Sequence, residues 1–512
     1  MTAEATSPKH QRTGLIIGAL MLSMLMSSLG QMIFTTALPT IVGDLGGVEH
    51  MSWVITAFLL GQTVAMPLFG KLGDQLGRKP LFIGANALFL VGSIVGATAS
   101  SMGVLIAGRA IQGFAGGAMM ILSQAITAEV TTPRERGKYM GIMGSVFGVA
   151  SVLGPLVGGW FTDGPGWRWG MWLNVPLGVV AIIAIVALLH LPPKHNSFRI
   201  DWLGTVTMTI ATAALILFVT WGGRDYEWGS TTIIGLIVTS IVFAALFVVI
   251  ESKAKEPLIS LALFRNSNFV LATLAGLAVG VLMFGSLGYL PTYLQMVHHL
   301  TPTKAGLMMI PMMGGMIITS IMTGNLITRF GKYKRYPIVG QAIITVAMVL
   351  LSTLEAHDSL VLVGVYLAVF GVGLGCTMQV LVLIVQNSFP LEQVGAATGS
   401  NNFFRQVGGA LGSALVGSIF LSGLKSNLAD AMPAAIAQAA AQGTDVSALQ
   451  QASGTSSLTP ALVSSLPEPV RDAIGVAYND ALTPVFLYLA PLAAIAMIIL
   501  FFIKEHALRT TR

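Results

Sequence analysis

Fourteen long apolar segments constrain the fold of this 512-residue chain more than any other feature of the sequence. A helix needs about 20 predominantly apolar residues to cross a bilayer. Only helices and closed barrels satisfy backbone hydrogen bonds in lipid, and these segments are too long for barrel strands. We therefore predict an all-α integral membrane protein with helices near 14–37, 53–70, 80–100, 103–128, 139–161, 170–191, 202–222, 232–250, 268–293, 303–325, 336–353, 359–385, 396–422 and 481–503.

The positions of the basic residues predict how the chain is oriented. Charged residues make up only 9% of the sequence, whereas soluble domains carry about 25%. Twenty of the 27 Lys and Arg residues fall in alternate connecting segments, and five fall in the others. Since cytoplasmic loops are enriched in Lys and Arg, both termini are predicted to be cytoplasmic. The net charge of +6 then reflects a basic collar at the membrane surface, and no nucleic-acid partner is expected.

Motifs for cofactors and for enzymatic catalysis are missing from the sequence. The single cysteine, Cys376, excludes an intrachain disulfide, and no metal-ligand cluster, Walker-type phosphate loop or nucleophile with an adjacent base is found. We expect no cofactor, no metal and no enzymatic activity. The first apolar segment lacks a cleavage site, so we expect it to remain as the first helix.

An internal repeat relates the two halves of the chain. The stretch GKLGDQLGRK (70–79) follows the second predicted helix, and GNLITRFGKY (324–333) follows the tenth at an offset of 254 residues. Both turns are predicted on the same membrane face, as a parallel repeat requires. Thr328 stands at the position of Asp74. The second turn therefore lacks the acid of the first, and its contacts are predicted to be weaker.

The first of these turns resembles the signature loop of the major facilitator superfamily. The resemblance implies that the turn is a conformational latch, in which Asp74 and Arg78 pair between helix ends and Glu129 is a further partner of Arg78. Glycine permits tight turns and close helix contacts at such a loop. The predicted latch residues are Gly70, Asp74, Gly77, Arg78, Lys79 and Glu129.

Further motifs resemble the 14-helix drug:proton antiporter branch of that superfamily. They are RAIQG (109–113), GVASVLGPLVGGW (148–160), GWRWGMWLNVPLG (166–178), the stretch 289–311 and GAATGSNNFFRQVGGALG (395–412). The resemblance implies two six-helix bundles, residues 1–192 and 257–512, separated by two linker helices within 193–256. The antiporter motif itself comprises Gly154, Pro155, Gly158 and Gly159. One face of the fifth predicted helix carries Gly144, Gly148, Ser151 or Gly154, and Gly158 at helical spacing, and it is expected to be smooth enough for close packing or for rocking of the bundles.

The same resemblance implies a function. We expect a proton-coupled exporter of small amphipathic compounds, of the multidrug efflux type, that acts as a monomer in a bacterial-type plasma membrane. A facilitator or a narrow metabolite exporter without proton coupling through helix 1 remains an alternative. A lipid-processing enzyme would need a cluster of acids, histidines or nucleophiles at one membrane face, and none is seen.

Helix 1 departs from the branch pattern at the position expected to carry protons. Gly30 replaces the usual aspartate, and Arg109 in helix 4 therefore lacks an obvious counter-charge. Arg405 is expected to be structural and nearer the cytoplasmic end of its helix. Helix 1 carries a polar stripe of Ser23, Ser27, Gln31 and Thr35. The predicted transport cavity comprises Gln31, Thr35, Arg109 and Gln112.

The segment 424–480 is expected to be external and partly disordered because it is rich in Ala, Gln and Ser. Its later part, PEPVRDAIGVAYNDAL, has the spacing of a short surface helix.

Overall fold

The computed structural model describes residues 13–46, 50–191, 200–223, 225–441, 460–506 and 508. Within these residues the chain is helical, without a named strand, and fourteen helical stretches are long and apolar enough to cross a membrane. This confirms the predicted fold class. The α-helices are α1 Thr13–Leu45, α2 Met51–Leu76, α3 Arg78–Ala97, α4 Met102–Val130, α5 Pro133–Asp163, α6 Arg168–Trp172, α7 Asn174–Leu188, α8 Trp202–Trp221, α9 Thr231–Lys253, α10 Ser267–Leu287, α11 Leu290–Val297, α12 Pro302–Leu307, α13 Ile310–Phe330, α14 Arg335–Ser352, α15 Leu360–Asn387, α16 Val394–Ala441, α17 Pro460–Ser464 and α18 Glu468–Phe501.

Local sequence signals explain where the helices begin. At the start of α5, Thr132 Oγ1 accepts a hydrogen bond from the Glu135 backbone N–H at 3.3 Å. In turn, Glu135 Oε2 accepts a hydrogen bond from the Thr132 backbone N–H at 3.2 Å. Pro133 occupies the first turn, where it has no helical hydrogen bond to lose. This capping box fixes the start of a helix that later contacts the other half of the protein.

Two packed halves are joined by the linker helices. Helices α1–α7 form the first half, α10–α18 form the second, and α8 packs against α2 and α16 while α9 packs against α8. Apolar side chains such as Ile234, Val238 and Ile241 leave much of α9 exposed, as expected of a lipid-facing helix. The Glu251 carboxylate at the end of α9 accepts N–H groups of Leu258 and Ile259 at 3.2 Å, which secures the chain leading into α10.

The partial disorder expected for 424–480 was wrong where α16 continues, whereas the helix expected in its later part forms as the start of α18. Helix α16 does not end near 422 but continues to Ala441, and Leu424 and Leu428 are buried against α18. Residues 468–480 belong to the continuous helix α18, where Val470 and Ile474 are buried. Apolar residues at helical spacing outweigh the polar composition in both places. Residues 442–459 lie outside the described part.

Candidate functional site

A tight turn joins α2 to α3 at the sequence predicted to form the latch. Gly77 has φ +89° and ψ +145°, a backbone conformation that is essentially restricted to glycine. Helix α3 begins at the very next residue, Arg78. The turn therefore directs the arginine side chain back over the end of α2. We call this end of the molecule the latch end.

The predicted ion pairs form at the latch end. The Arg78 guanidinium donates to Asp74 Oδ1 at 2.8 Å and to Glu129 Oε2 at 2.9 Å. It also donates to the carbonyl oxygens of Ala125 at 2.9 Å and Leu391 at 2.8 Å. The Arg78 side chain is fully buried, so its charge depends on these partners.

The Asp74 carboxylate also connects the two halves. Its Oδ1 accepts the Gly395 N–H at 3.1 Å, and its Oδ2 accepts the Ala396 N–H at 2.8 Å. These N–H groups lie in the first turn of α16, where a helix has unpaired donors and a partial positive charge. Asp74 therefore caps a helix of the opposite half while it holds Arg78. Apart from the acid itself, no sequence pattern indicates this partner.

The second copy of the turn contacts the opposite half in the same way. Thr328 Oγ1 accepts the Lys138 N–H in α5 at 3.1 Å. Arg134 donates to the carbonyl oxygens of Thr328 and Arg329, both at 2.7 Å. In this turn the Thr328 hydroxyl and the carbonyl oxygens of Thr328 and Arg329 thus make the contacts that the Asp74 carboxylate and its ion pair make in the first turn. The weaker strength predicted for this side stays a prediction.

Glycines let the two halves approach closely at the latch end. A methyl group built on Gly395 would lie 2.5 Å from the Gly70 carbonyl oxygen. A methyl group on Gly324, the repeat counterpart of Gly70, would lie 2.5 Å from the Gly137 carbonyl oxygen. Both distances are shorter than any real Cβ contact. The α2–α16 and α5–α13 interfaces are therefore equivalent backbone contacts related by the internal repeat.

Lys79 has a different role from the other predicted latch residues. Its ammonium group donates to the carbonyl oxygens of Val186 at 3.1 Å and Leu189 at 2.6 Å. These carbonyls lie at the C-terminal end of α7, where unpaired acceptors favour a cation. Lys79 therefore caps a helix of its own half.

The antiporter motif in α5 packs mainly within the first half. Gly154 lies directly against Met32 of α1, Gly158 is buried, and the space beside Gly159 is open. Pro155 lies inside the helix. The glycines of α5 that touch the second half come earlier in the helix, at Gly137, Gly141, Gly144 and Gly148. The glycine spacing predicted Gly144 and Gly148 on this face, and following it further back would have found Gly141 and Gly137.

A narrow cavity lies between the halves, with a volume of about 50 Å³. Five methionines and two phenylalanines supply its apolar surface, and four glutamines and two serines supply most of its polar groups. Arg405 carries its one formal charge. The lining residues are Met24, Ser27, Ser28, Gln31, Gln62, Met120, Met143, Phe147, Met283, Phe284, Met378, Gln379, Arg405 and Gln406.

The polar stripe of helix 1 is divided between the cavity and the helix packing. Ser23 donates to Asn86 Oδ1 of α3 at 2.8 Å, whereas Ser27 and Gln31 line the cavity. The side chain of Thr35 lies outside the described part. Of the four residues predicted for the transport cavity, the structure places Gln31 there. Arg109 and Gln112 are not among the lining residues.

Arg109 is held in a closed packing site. It is fully buried, and it donates to the Gly30 carbonyl oxygen at 2.9 Å and to Gln112 Oε1 at 3.0 Å. The rings of Phe34 and Phe58 lie 4.4 and 4.3 Å from the guanidinium carbon. Cation–π contacts of this kind stabilise a buried guanidinium. Backbone, Gln112 and ring contacts therefore satisfy Arg109 within the packed helices of the first half.

We expect Arg109→Ala to destabilise the protein by about 3 to 5 kcal/mol, the usual cost of truncating a large buried side chain. Arg109→Met should cost much less, because its thioether chain fills the space between the two rings and needs no counter-charge. Thermal unfolding of both purified variants in detergent measures the difference. Equal losses in both variants would mean that the charge, not the packing, holds this site together.

Arg405 is the cavity residue that sequence reasoning missed. It was expected to be structural and nearer the cytoplasmic end of its helix. It does lie about three turns from the first residue of α16, Val394, but its side chain also lines the cavity. The available signal was that Arg405 and Gln406 are adjacent polar residues in an otherwise apolar and small-residue stretch.

Comparisons with known proteins agree with this arrangement. The family model described as the Major Facilitator Superfamily matches residues 20–413. The multidrug resistance protein 3 of Bacillus subtilis is 32% identical over 99% of this chain and 98% of its own length. The multidrug transporter protein MdtP of the same organism is 36% identical over 80% of this chain and 76% of its own length. The solved structure of the proton:xylose symporter XylE covers 97% of both chains with a TM-score of 0.61 at 13% identity, which supports the fold alone.

Proposed function

Because this chain belongs to the major facilitator superfamily, and is thus a multi-pass membrane transporter and not an enzyme, we propose that it exports small amphipathic compounds through the central cavity. The observation that carries the proposal is the cavity lining. Methionine and phenylalanine side chains adapt to varied apolar shapes, and glutamine amides offer both donors and acceptors. Several relatives are named multidrug transporters or efflux pumps.

Export requires that the cavity face each side of the membrane in turn. We place the latch end in the cytoplasm, as the basic loops indicate. The latch then closes the cytoplasmic side while the cavity faces outward, and its opening admits substrate from the cytoplasm. The glycine contacts of α2–α16 and α5–α13 act as the surfaces that separate when the halves rock.

The setting of the transporter follows the sequence analysis. We propose that it acts as a monomer in a bacterial-type plasma membrane with both termini cytoplasmic. Residues 1–192 and 257–512 would move as the two bundles, and the linker helices within 193–256 would remain against the lipid.

The acids near the cavity bear on proton coupling. None of the described residues that line the cavity is a carboxylate, and Gly30 stands where the related branch has an aspartate. Among the described acids, Asp74 lies where the two halves meet, because it accepts the N–H groups of Gly395 and Ala396, and Glu129 pairs with Arg78 beside it. The lack of a carboxylate in the described cavity lining and at residue 30 favours the alternative, which is a facilitator or a narrow metabolite exporter without proton coupling through helix 1.

Export of a neutral amphipathic dye from proteoliposomes, with and without a pH gradient, tests the proposed function. The proposed exporter should move N-phenyl-1-naphthylamine across the membrane with and without a pH gradient. If it is proton-coupled, it should move the dye against the dye's own concentration gradient only when a pH gradient is present. Failure to move or bind the dye would contradict the proposal. Gradient-independent equilibration would favour the facilitator.

Introducing the missing acid should reveal whether helix 1 can couple protons. A Cβ on Gly30 would make only an ordinary contact, 3.5 Å from Phe89, so Gly30→Asp should fold. The new carboxylate would lie near Arg109, which already binds the Gly30 carbonyl. We expect export by Gly30→Asp to depend more steeply on the pH gradient, with Gly30→Asn as the uncharged control. If export by a folded Gly30→Asp protein depends on the pH gradient as export by the unmodified protein does, the missing aspartate of helix 1 is not what limits proton coupling.

A further inference from the structure

We propose that the cavity selects amphipathic compounds bearing one negative charge, and that Arg405 is the residue that binds this charge. The inference rests on the proposed function and specifies its substrate class. It depends on the charge of the cavity, on the way Arg405 is held and on unpaired polar atoms in the cavity wall.

The charge of the cavity is one-sided. Among the lining residues that the structure describes, Arg405 is the one with a formal charge, and none is an aspartate or glutamate. Within the described residues, no carboxylate oxygen lies within ion-pair distance of Arg405. Arginine stays protonated in proteins, so an empty cavity carries a positive charge with little water to screen it. A bound anion would supply the missing counter-charge.

The guanidinium is held in position from one side and leaves the other side for a ligand. Arg405 is only 5% exposed, and its hydrogen-bond partner among the described residues is Asn402 Oδ1. Asn402 is fixed in turn, because its amide donates to Gln124 Oε1 of the opposite half at 2.9 Å and to the Thr398 carbonyl at 2.9 Å. A guanidinium has five N–H donors, and the bond to Asn402 occupies one of its nitrogens. The remaining donors can form the paired bonds that carboxylates and sulfonates accept.

Other cavity groups suit the polar part of the same ligand. Ser27 Oγ and Gln379 Oε1 are buried and have no hydrogen-bond partner in the described structure. Buried polar atoms without partners are costly, so a ligand with donor and acceptor groups would gain by satisfying them. The methionines and the two phenylalanines then enclose its apolar part. The ligand that fits is a monoanion with an aromatic or aliphatic body.

A matched pair of dyes tests the charge requirement. 8-Anilino-1-naphthalenesulfonate carries a sulfonate, and N-phenyl-1-naphthylamine is the same body without it. Dissociation constants for the purified transporter, corrected for detergent partitioning, should favour the sulfonate at least about tenfold, which corresponds to one additional charge-assisted contact. In Arg405→Gln the ratio of the two constants should fall to within about twofold, and Arg405→Lys should keep part of the preference because it keeps the charge but not the planar fork.

A second variant keeps the test decisive if Arg405→Gln does not fold. Asn402→Asp changes one atom and places a carboxylate beside Arg405, so it should cancel the charge and remove the preference for the sulfonate. A preference that persists in either folded variant overturns the inference, as does equal binding of both dyes to the unmodified protein. Binding of the neutral dye without any charge preference leaves the proposed function standing, whereas binding of neither dye contradicts both.

Discussion

Replacing Arg78 by alanine is expected to reduce export by about tenfold or more, although the protein should still insert into the membrane. The change removes the common partner of Asp74 and Glu129 and leaves two carboxylates at a largely buried site. Removing one partner of a buried ion pair costs roughly 3 to 5 kcal/mol. This cost falls on the state in which the halves meet at the latch end, because Arg78 also binds the Leu391 carbonyl of the second half there.

The control for this variant is Arg335→Ala, which removes an exposed arginine from the start of α14. Its export should stay within about twofold of the unmodified rate, since exposed charges contribute little to stability. Asp74→Asn should fall between the two variants, because the amide retains one oxygen for the N–H groups of α16 but loses the charge. Unmodified rates in Arg78→Ala at equal expression would refute the latch.

Gly324→Leu is expected to abolish most export for a steric reason. The first added carbon would lie 2.5 Å from the Gly137 carbonyl oxygen and 3.2 Å from the Gly141 Cα, and backbone atoms cannot rotate away. Halves held apart at α5–α13 cannot close the latch end, so the transport cycle should stop with the cavity open to that side. Loss of export by about tenfold or more, measured on the neutral dye in proteoliposomes, is the expected result.

Gly314→Leu is the matched control because it makes the same change on the same helix. No atom outside the local helix lies within 4 Å of a Cβ at this position. Its export should remain near the unmodified rate. Equal losses in both variants would show that leucine disturbs α13 itself and not the contact between the halves.

Local patterns predicted the latch because its chemistry lies close together in sequence. Asp74 and Arg78 are four residues apart around a glycine turn, and the ion pair forms at 2.8 Å. The fourteen apolar segments likewise predicted the membrane helices, since the bilayer imposes their length. In both cases the deciding constraint acts within a few turns of the chain.

Contacts between the halves could not be predicted from one sequence. The caps that Asp74 provides for α16 span about 320 residues, and nothing near residue 74 specifies residues 395 and 396. The roles of the two arginines differ for the same reason. Arg109 and Arg405 both lack a nearby acid in sequence, yet the rings of Phe34 and Phe58 close the site of the first, and the cavity lies beside the second.

Protection of a cysteine in the cavity tests most directly whether amphipathic compounds bind between the halves. Gln31 lines the cavity and is half-buried, and the one native cysteine is buried and can be replaced by alanine. In a Gln31→Cys, Cys376→Ala protein, a membrane-impermeant maleimide should react from the face opposite the latch. Saturating N-phenyl-1-naphthylamine should slow this reaction several-fold. A reaction rate that the dye leaves unchanged, although the dye is still exported, would contradict the central cavity as the substrate site.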